Sequence, residues 1–366
     1  MEITYKCFKC TEQVSVSTKQ AACSCGGLWT LDFEPPKFSL DLVDRDIWGM
    51  FRYRAFMPLP DDGWRKITLG EGLTPIINFN ENVMLKMDYF MPTLSFKDRG
   101  AAVLIAHCKS IGVDAVVQDS SGNAGNSVAA YCAKAGIACD IFVPEGTSPA
   151  KINMIESHKA TAHVVPGSRD NCANVCRAQV SEQGKYYANH VYNPFFYQGT
   201  KTYIYEVYEQ LGRIPENIFV PLGNGTLFIG VIKGLEELLR SGAIKKIPQV
   251  YAIQSEHCDP FVKAQVLGES LPAKVQPTPT LAEGIAIGVP MRGEEILQYI
   301  YKYDVKTIIA PEARILEARA LLAAKGIYCE HTTAASYAAY LAYCDEFGTV
   351  TDSLIPMCGA GLKSDH

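Results

Sequence analysis

From about residue 68 onward, short apolar runs alternate with longer stretches of helical periodicity. The runs 83–87, 115–118, 139–143, 162–165, 218–222, 249–253 and 353–357 read as strands. The stretches 98–111, 124–136, 149–159, 169–183, 200–212, 227–241 and 311–325 read as helices. A strand–helix–strand rhythm at this spacing predicts an α/β fold of open, parallel sheets covered by helices. Ligands in such folds bind outside the carboxyl ends of the strands, so the loops directly after strands carry the information. There is no internal repeat and no low-complexity tract.

Upstream the pattern differs. Pro35-Pro36 closes a small module, and 37–66 reads as a connecting arm with aromatic anchors Trp48, Phe51, Tyr53 and Trp64. Within the module, Cys7 and Cys10 form a C-x-x-C hook, and Cys23 and Cys25 follow after 12 residues, with Gly26-Gly27 next. Two cysteine hooks around a loop are how a short segment builds a tetrahedral Zn(II) site. The segment has too few apolar residues for a core of its own, and a metal would supply the missing folding energy. The second hook is C-x-C, a departure from the usual spacing. Four reduced thiols, or two disulfides, is the alternative. A ribbon of this kind can also dock nucleic acid or protein, but only Lys6 and Lys9 lie near the first hook.

Composition narrows the class. The chain has 366 residues, 48% hydrophobic and 20% charged, enough for two domains and a module. Its 34 basic and 39 acidic residues leave a net charge of −5, which gives no support to a nucleic-acid partner. No apolar run is long enough to cross a bilayer. Met1 to Lys6 lacks the pattern of a signal peptide, so a cytoplasmic protein is expected. Most of the 13 cysteines, such as Cys132 and Cys139, sit singly in apolar stretches and read as reduced and buried.

Three loops and one lysine carry the candidate chemistry. Lys97 stands where the polar turn 92–96 enters a helix. Asp119-Ser120-Ser121-Gly122-Asn123-Ala124 follows a strand and opens a helix, a ready anion site through free N–H groups and the helix dipole. Leu222-Gly223-Asn224-Gly225-Thr226-Leu227 does the same after the strand at 218, and its glycines let backbone approach a phosphate. It is neither a Walker A loop nor a dinucleotide fingerprint, because no Gly-Lys-Ser/Thr follows and Phe228 stands where a third glycine belongs. Two anion-binding helix starts and a lysine suit a ligand with a phosphate and an amino-acid part. Pyridoxal 5′-phosphate (PLP) with a small amino-acid substrate is such a ligand.

These motifs resemble a known family. Ser95-Phe96-Lys97-Asp98-Arg99-Gly100 is similar to the Schiff-base motif of the threonine synthases, in the fold-type-II PLP superfamily that also holds the serine/threonine dehydratases. Glu71-Gly72-Leu73-Thr74-Pro75, Ser120-Ser121-Gly122-Asn123, Gly223-Asn224-Gly225-Thr226 and Gly359-Ala360-Gly361-Leu362-Lys363 resemble four further family motifs. The 7–27 ribbon resembles an arm found on some archaeal and bacterial threonine synthases. The resemblance implies two open parallel-sheet lobes with PLP in the cleft, and a zinc-ribbon-like arm. The expected domains are the arm 1–36, a large lobe 37–94 and 191–366, and a smaller mobile lobe 95–190. A homodimer is implied too. Lys97 would be the Schiff-base lysine and shuttle protons. Asn123 would bond the cofactor's ring oxygen, and 223–227 its phosphate. Ser120, Ser121, Asn123 and Ala124 would cradle the substrate carboxylate. Cys358 stands where the superfamily places Thr or Ser opposite the pyridine nitrogen. A thiol is a weak hydrogen-bond partner and leaves that nitrogen unprotonated, which favours elimination over transamination. Glu330 matches a position near the active site.

Three further positions depart from the family. Ala124 replaces a Thr, Leu94 a Gly, and Phe196 an Arg in Asn193-Pro194-Phe195-Phe196-Tyr197-Gln198-Gly199, where Phe196 and Gln198 are substrate candidates. Losing an Arg and a Thr from a phosphate pocket costs on the order of 3 kcal/mol. Lys201, Arg99 and His190 are the candidates to replace them. The leading expectation is a PLP-dependent lyase converting O-phosphohomoserine and water to threonine and phosphate. A dehydratase or ammonia-lyase on an unphosphorylated amino acid, or a cysteate synthase-like β-replacement enzyme, is the alternative. A non-catalytic, zinc-dependent binding protein is the reading of another class, opposed by intact Lys97, Asn123 and the 223–227 loop.

Overall fold

In this computed structural model, which describes residues 3–167 and 169–363, the apolar runs become sheet interiors. The strands among the described residues are β1 (Thr4–Cys7), β2 (Gln13–Ser15), β3 (Trp29–Asp32), β4 (Ile76–Asn78), β5 (Val83–Lys86), β6 (Ala115–Gln118), β7 (Ala138–Pro144), β8 (Thr161–Val165), β9 (Tyr186–Tyr187), β10 (Asn217–Pro221), β11 (Gln249–Ser255), β12 (Lys306–Ala310) and β13 (Ser353–Pro356). The described chain groups into two units. The first takes 3–36, Asp41–Glu71 and Lys97–Thr200; the second takes Lys37–Leu40, Gly72–Phe96 and 201–363.

The first unit holds a parallel sheet ordered β8-β7-β6-β9. Val116, Val117, Ile141 and Val143 are fully buried, as continuous apolar runs in a parallel sheet must be. Helix Asn123–Ala135 ends at Gly136 in the left-handed region (φ 65), whose N–H returns to Ala133 and Cys132 carbonyls. The arm packs into this unit: Leu28 joins the cluster of Val117, Phe142, Tyr187 and Tyr192, with Ala21 and Ala22 against it. Its strands form a small antiparallel sheet, β2-β1-β3. In the connecting stretch Phe51 stacks on Trp64 at 4.7 Å and Tyr53 is buried. Trp48 is 74% exposed, which corrects its reading as an anchor.

The second unit holds the sheet β12-β11-β10-β13-β5-β4, parallel except for the β4–β5 pair. Phe219 and Tyr251 stack on it at 4.3 Å, and the alanine-rich helix His331–Phe347 packs through Ala334, Ala335, Ala338 and Ala339. Both sheets are as expected. Strands β4, β9 and β12 and helices Pro260–Leu267, Gly293–Lys302 and His331–Phe347 come in addition. No helix among the described residues is long and apolar enough to cross a membrane. All 13 cysteines are free thiols, and Cys132 and Cys139 are buried.

Candidate active site

In the first unit, Lys97 opens helix Lys97–Ser110 and is half-buried, while Asp98 and Arg99 behind it are fully buried. The Lys97 Nζ stands 5.8 Å from the centre of the Phe196 ring. That ring lies on Gly100, where a Cβ would come within 2.2 Å of it. A Cβ on Gly199 would fall 1.8 Å from the Arg99 carbonyl oxygen, so helix Phe195–Thr200 rides directly on the lysine helix. The wall nearest Lys97 is therefore aromatic, and His190 meets Phe196 edge-on at 5.8 Å. Gln198 is buried, and its Oε1 has no hydrogen-bond partner.

The Ser120–Ala124 loop leaves β6 in the same unit. Asp119 accepts from the Tyr187 hydroxyl at 2.6 Å and from Asn189 Nδ2 at 2.7 Å, which pins the start of the loop. Burial pushes the Asp119 carboxyl up, and those two bonds pull it back down. Ser120 to Asn123 are half-buried and Ala124 is buried. No side chain caps the helix start at Gly122. Asn126, one turn in, keeps a buried Oδ1 with no partner. The Ser127 hydroxyl donates to Asp98 at 2.5 Å, tying this helix start to that of Lys97.

In the second unit, Leu222 to Gly225 leave β10 and open the long helix Thr226–Ser241. Gly225 is left-handed (φ 77), and no side chain caps this helix either. A Cβ on Gly225 would lie 2.5 Å from Ile296, and one on Gly223 3.0 Å from the Ile285 backbone. Asn224 Oδ1 is buried without a partner, while Thr226 and Leu227 are buried. Uncapped N–H groups and close-approaching glycine backbone fit a bound phosphate. Cys358 is buried just past β13. Its carbonyl accepts from the Phe96 N–H at 2.9 Å, the Leu94 carbonyl from the Ala360 N–H at 3.1 Å, and the Thr93 carbonyl from Lys363 Nζ at 3.1 Å. Residues 358–363 thus stitch down the stretch 93–96 that precedes Lys97, a role their sequence did not reveal. Glu330 donates its N–H to Gly359 at 3.0 Å and places its carboxylate where a Gly359 side chain would be.

Of the three candidate replacements for the missing arginine, Lys201 lies in the second unit and pairs with Glu237 at 2.9 Å. Leu94, at the family's glycine position, has φ 60. A side chain there costs about 1–2 kcal/mol, more than the ~0.5–1 kcal/mol that glycine loses to chain entropy. Leu94→Gly is therefore expected to keep or raise the melting temperature. A fall of several degrees would show that the side chain packs, against its 43% exposure.

Two buried charge sites were not legible in the sequence. In the second unit Lys86 and Glu206 pair at 2.7 Å with no exposure, and Glu206 also accepts from the Leu73 N–H at 2.7 Å, fixing the stretch 72–75. In the first, Glu71 accepts from the Leu69 N–H at 2.8 Å and the Tyr131 hydroxyl at 2.9 Å, while its Oε1 has no partner. Burial pushes the Glu71 carboxyl above its ordinary range, against both bonds. As pH rises through the ordinary value of about 4.3, the unfolded chain loses this proton first, so stability falls up to the raised native value. Glu71→Gln does not titrate. Its melting temperature is expected to improve relative to the parent on going from about pH 4 to about pH 8. A constant difference would mean that Glu71 ionises normally.

In the arm, the ligand atoms of Cys7, Cys10, Cys23 and Cys25 all lie within 4.8 Å of one another. Cys7 and Cys25 Sγ are 3.5 Å apart, and Cys10 is 3.6 Å from both Cys23 and Cys25. Sulfurs about 2.3 Å from one tetrahedral zinc stand about 3.8 Å apart. The Lys9 N–H donates to Cys7 Sγ at 3.3 Å, and a Cβ on Gly27 would come within 2.5 Å of that sulfur. These four residues could hold a metal.

Residues 67–359 match the family described as pyridoxal-phosphate dependent enzyme. The threonine synthase of Methanocaldococcus jannaschii is 31% identical over 91% of this chain and 85% of its own. That of Mycobacterium tuberculosis is 31% identical over 85% and 87%. Among solved structures, the processed threonine deaminase isoform 2 of Solanum lycopersicum superposes with a TM-score of 0.72 at 18% identity, covering 89% of this chain and 86% of its own. The L-serine ammonia-lyase of Rhizomucor miehei does so at 0.69 and 22%, over 79% and 93%. These last two likenesses speak to the fold. With its parallel sheets, its lysine at a helix start and its match over most of the length, this chain belongs to the pyridoxal-phosphate dependent enzymes, in the group that includes the threonine synthases.

Proposed function

We propose that the protein is a threonine synthase-like lyase that converts O-phosphohomoserine and water to threonine and phosphate. The observation that carries the reading is the Asp98–Ser127 hydrogen bond, which fixes the helix start bearing Lys97 against the one bearing the Ser120–Ala124 anion loop. The likeness to named threonine synthases at 31% identity supports it. PLP, when bound, supplies an electron sink for the substrate's α-carbon. Lys97 would hold it through Nζ, Asn123 would bond its ring oxygen, and Gly223, Asn224, Gly225, Thr226 and Leu227 its phosphate. Cys358 would face its ring nitrogen as a weak partner. Ser120, Ser121, Asn123 and Ala124 would bind the substrate's α-carboxylate and orient its α-hydrogen toward Lys97. The Lys97 amine would take that proton and return it along the side chain. Gln198 and Phe196 would line the side-chain end.

One observation favours a second reading. The Phe196 ring near Lys97 replaces a cation that a phosphate would use, and Lys201 is held by Glu237. That suits an unphosphorylated amino acid and an ammonia-lyase. A substrate panel separates the two. Phosphate and threonine released from O-phosphohomoserine alone supports the synthase. Keto acid and ammonia from serine, threonine or diaminopropionate, with phosphohomoserine untouched, overturns it. We also propose that the four arm cysteines bind zinc. One equivalent of zinc per purified chain, lost in Cys7→Ser, is the expected result, and a metal-free arm with unchanged folding would contradict it.

A further inference from the structure

Tyr5 stands in β1 two residues before Cys7, paired with Val14 and Leu31 across the arm's small sheet. Its phenol does not stay in the arm. It is 2% exposed, with its oxygen 3.3 Å from His107 Nε2 and 3.5 Å from the Tyr186 hydroxyl. His107 belongs to the last turn of the lysine helix and stacks flat on Phe195, 3.6 Å between centres and 7° between planes. Tyr5 meets both rings edge-on, at 6.3 and 6.1 Å, while Trp29 of the arm stacks on it at 6.2 Å. Burial pushes the His107 ring down to about 3, so this contact is between neutral groups.

The chain of contacts continues toward the candidate site within the same unit. Asn193 Nδ2 donates to the Tyr186 hydroxyl at 2.7 Å. The same side chain accepts the Phe195 N–H at 3.0 Å, capping helix Phe195–Thr200. Phe196, the next residue, rests on Gly100 and faces Lys97. Tyr5 thus sits where the far end of the lysine helix meets the helix that carries the Phe196 wall. Two edge-on aromatic contacts and a buried hydroxyl hold that junction, each a geometry-dependent interaction.

We propose that Tyr5 is a positioning residue through which the four-cysteine arm sets the packing of helix Phe195–Thr200 on the lysine helix, and so the placement of Lys97 and Phe196. This rests on the reading of Lys97 given above. Its substrate would feel the arm as a change in KM and in the surroundings of the bound cofactor. A purely structural appendage would change neither.

The test uses the full chain with Tyr5→Ala and Tyr5→Phe, read by amide hydrogen exchange without PLP and by kinetics and visible circular dichroism with it. Tyr5→Ala is expected to keep its zinc and to speed exchange in 97–100 and 195–200, leaving Thr226–Ser241 protected. KM should rise about tenfold, a sub-ångström displacement in the scale where ~1 Å costs about a hundredfold, with an altered visible signal. Tyr5→Phe, which keeps the ring, should restore KM to within about threefold, given the small net worth of one neutral hydrogen bond. Unchanged exchange at 97–100 and 195–200 would overturn the proposal, and so would a uniform rise across β6, β7 and β8, which marks a general structural role. Should the parent and Lys97→Ala prove alike with PLP, the lysine reading fails, and the exchange pattern still decides whether the arm positions these helices.

Discussion

Lys97→Ala is expected to lower turnover at least about a thousandfold and to remove the visible absorbance of PLP-loaded protein. Loss of an essential nucleophile or base has effects of that size. The fold should survive, because Lys97 is half-buried and sits outside the core, while Asp98, Arg99 and Gly100 behind it make the buried contacts. Steady-state kinetics with a thermal melt separates the two effects. A variant that keeps a tenth of the parent activity, or that keeps its colour, would place the chemistry elsewhere.

Gly125→Ala is the second large effect. A Cβ there would stand 1.8 Å from the Ser120 carbonyl oxygen and 2.9 Å from its carbon. Both are backbone atoms, so neither can rotate away as a side-chain tip could. The loop 120–122 must then move by more than an ångström, taking its N–H groups off the carboxylate site proposed there. Charged hydrogen bonds are worth about 1.5–3 kcal/mol each, so KM should rise about a hundredfold. Overpacking adds about 1–3 kcal/mol of lost stability, visible as a lower melting temperature. Unchanged KM would mean that this loop does not bind the substrate.

Much of this was legible because the chemistry lies at strand ends. The runs at 115–118 and 249–253 became β6 and part of β11, and the loops after β6 and β10 open uncapped helices as their composition implied. Helix His331–Phe347 escaped for a physical reason. It is rich in alanine and tyrosine and packed over much of its girth, so no polar face gives it a period. Strand β12 is at the sheet edge and only half-buried, which blurs its apolar signal. The partners of the buried Glu71 and Glu206 and the half-buried Asp119 were illegible because they lie 60, 120 and 68 residues away. Leu94 shows the reverse case. The sequence flagged it as a departure, and only the backbone angle explains why glycine suits the place. Tyr5 carried no signal in the sequence, since nothing local reports what its side chain reaches.

The most direct measurement is to reduce PLP-loaded protein with borohydride, digest it and locate the phosphopyridoxyl group by mass spectrometry. A single modified peptide carrying the group on Lys97 is expected, and none in Lys97→Ala. Labelling of another lysine, such as Lys86 or Lys363, or no stable label at all, would contradict it.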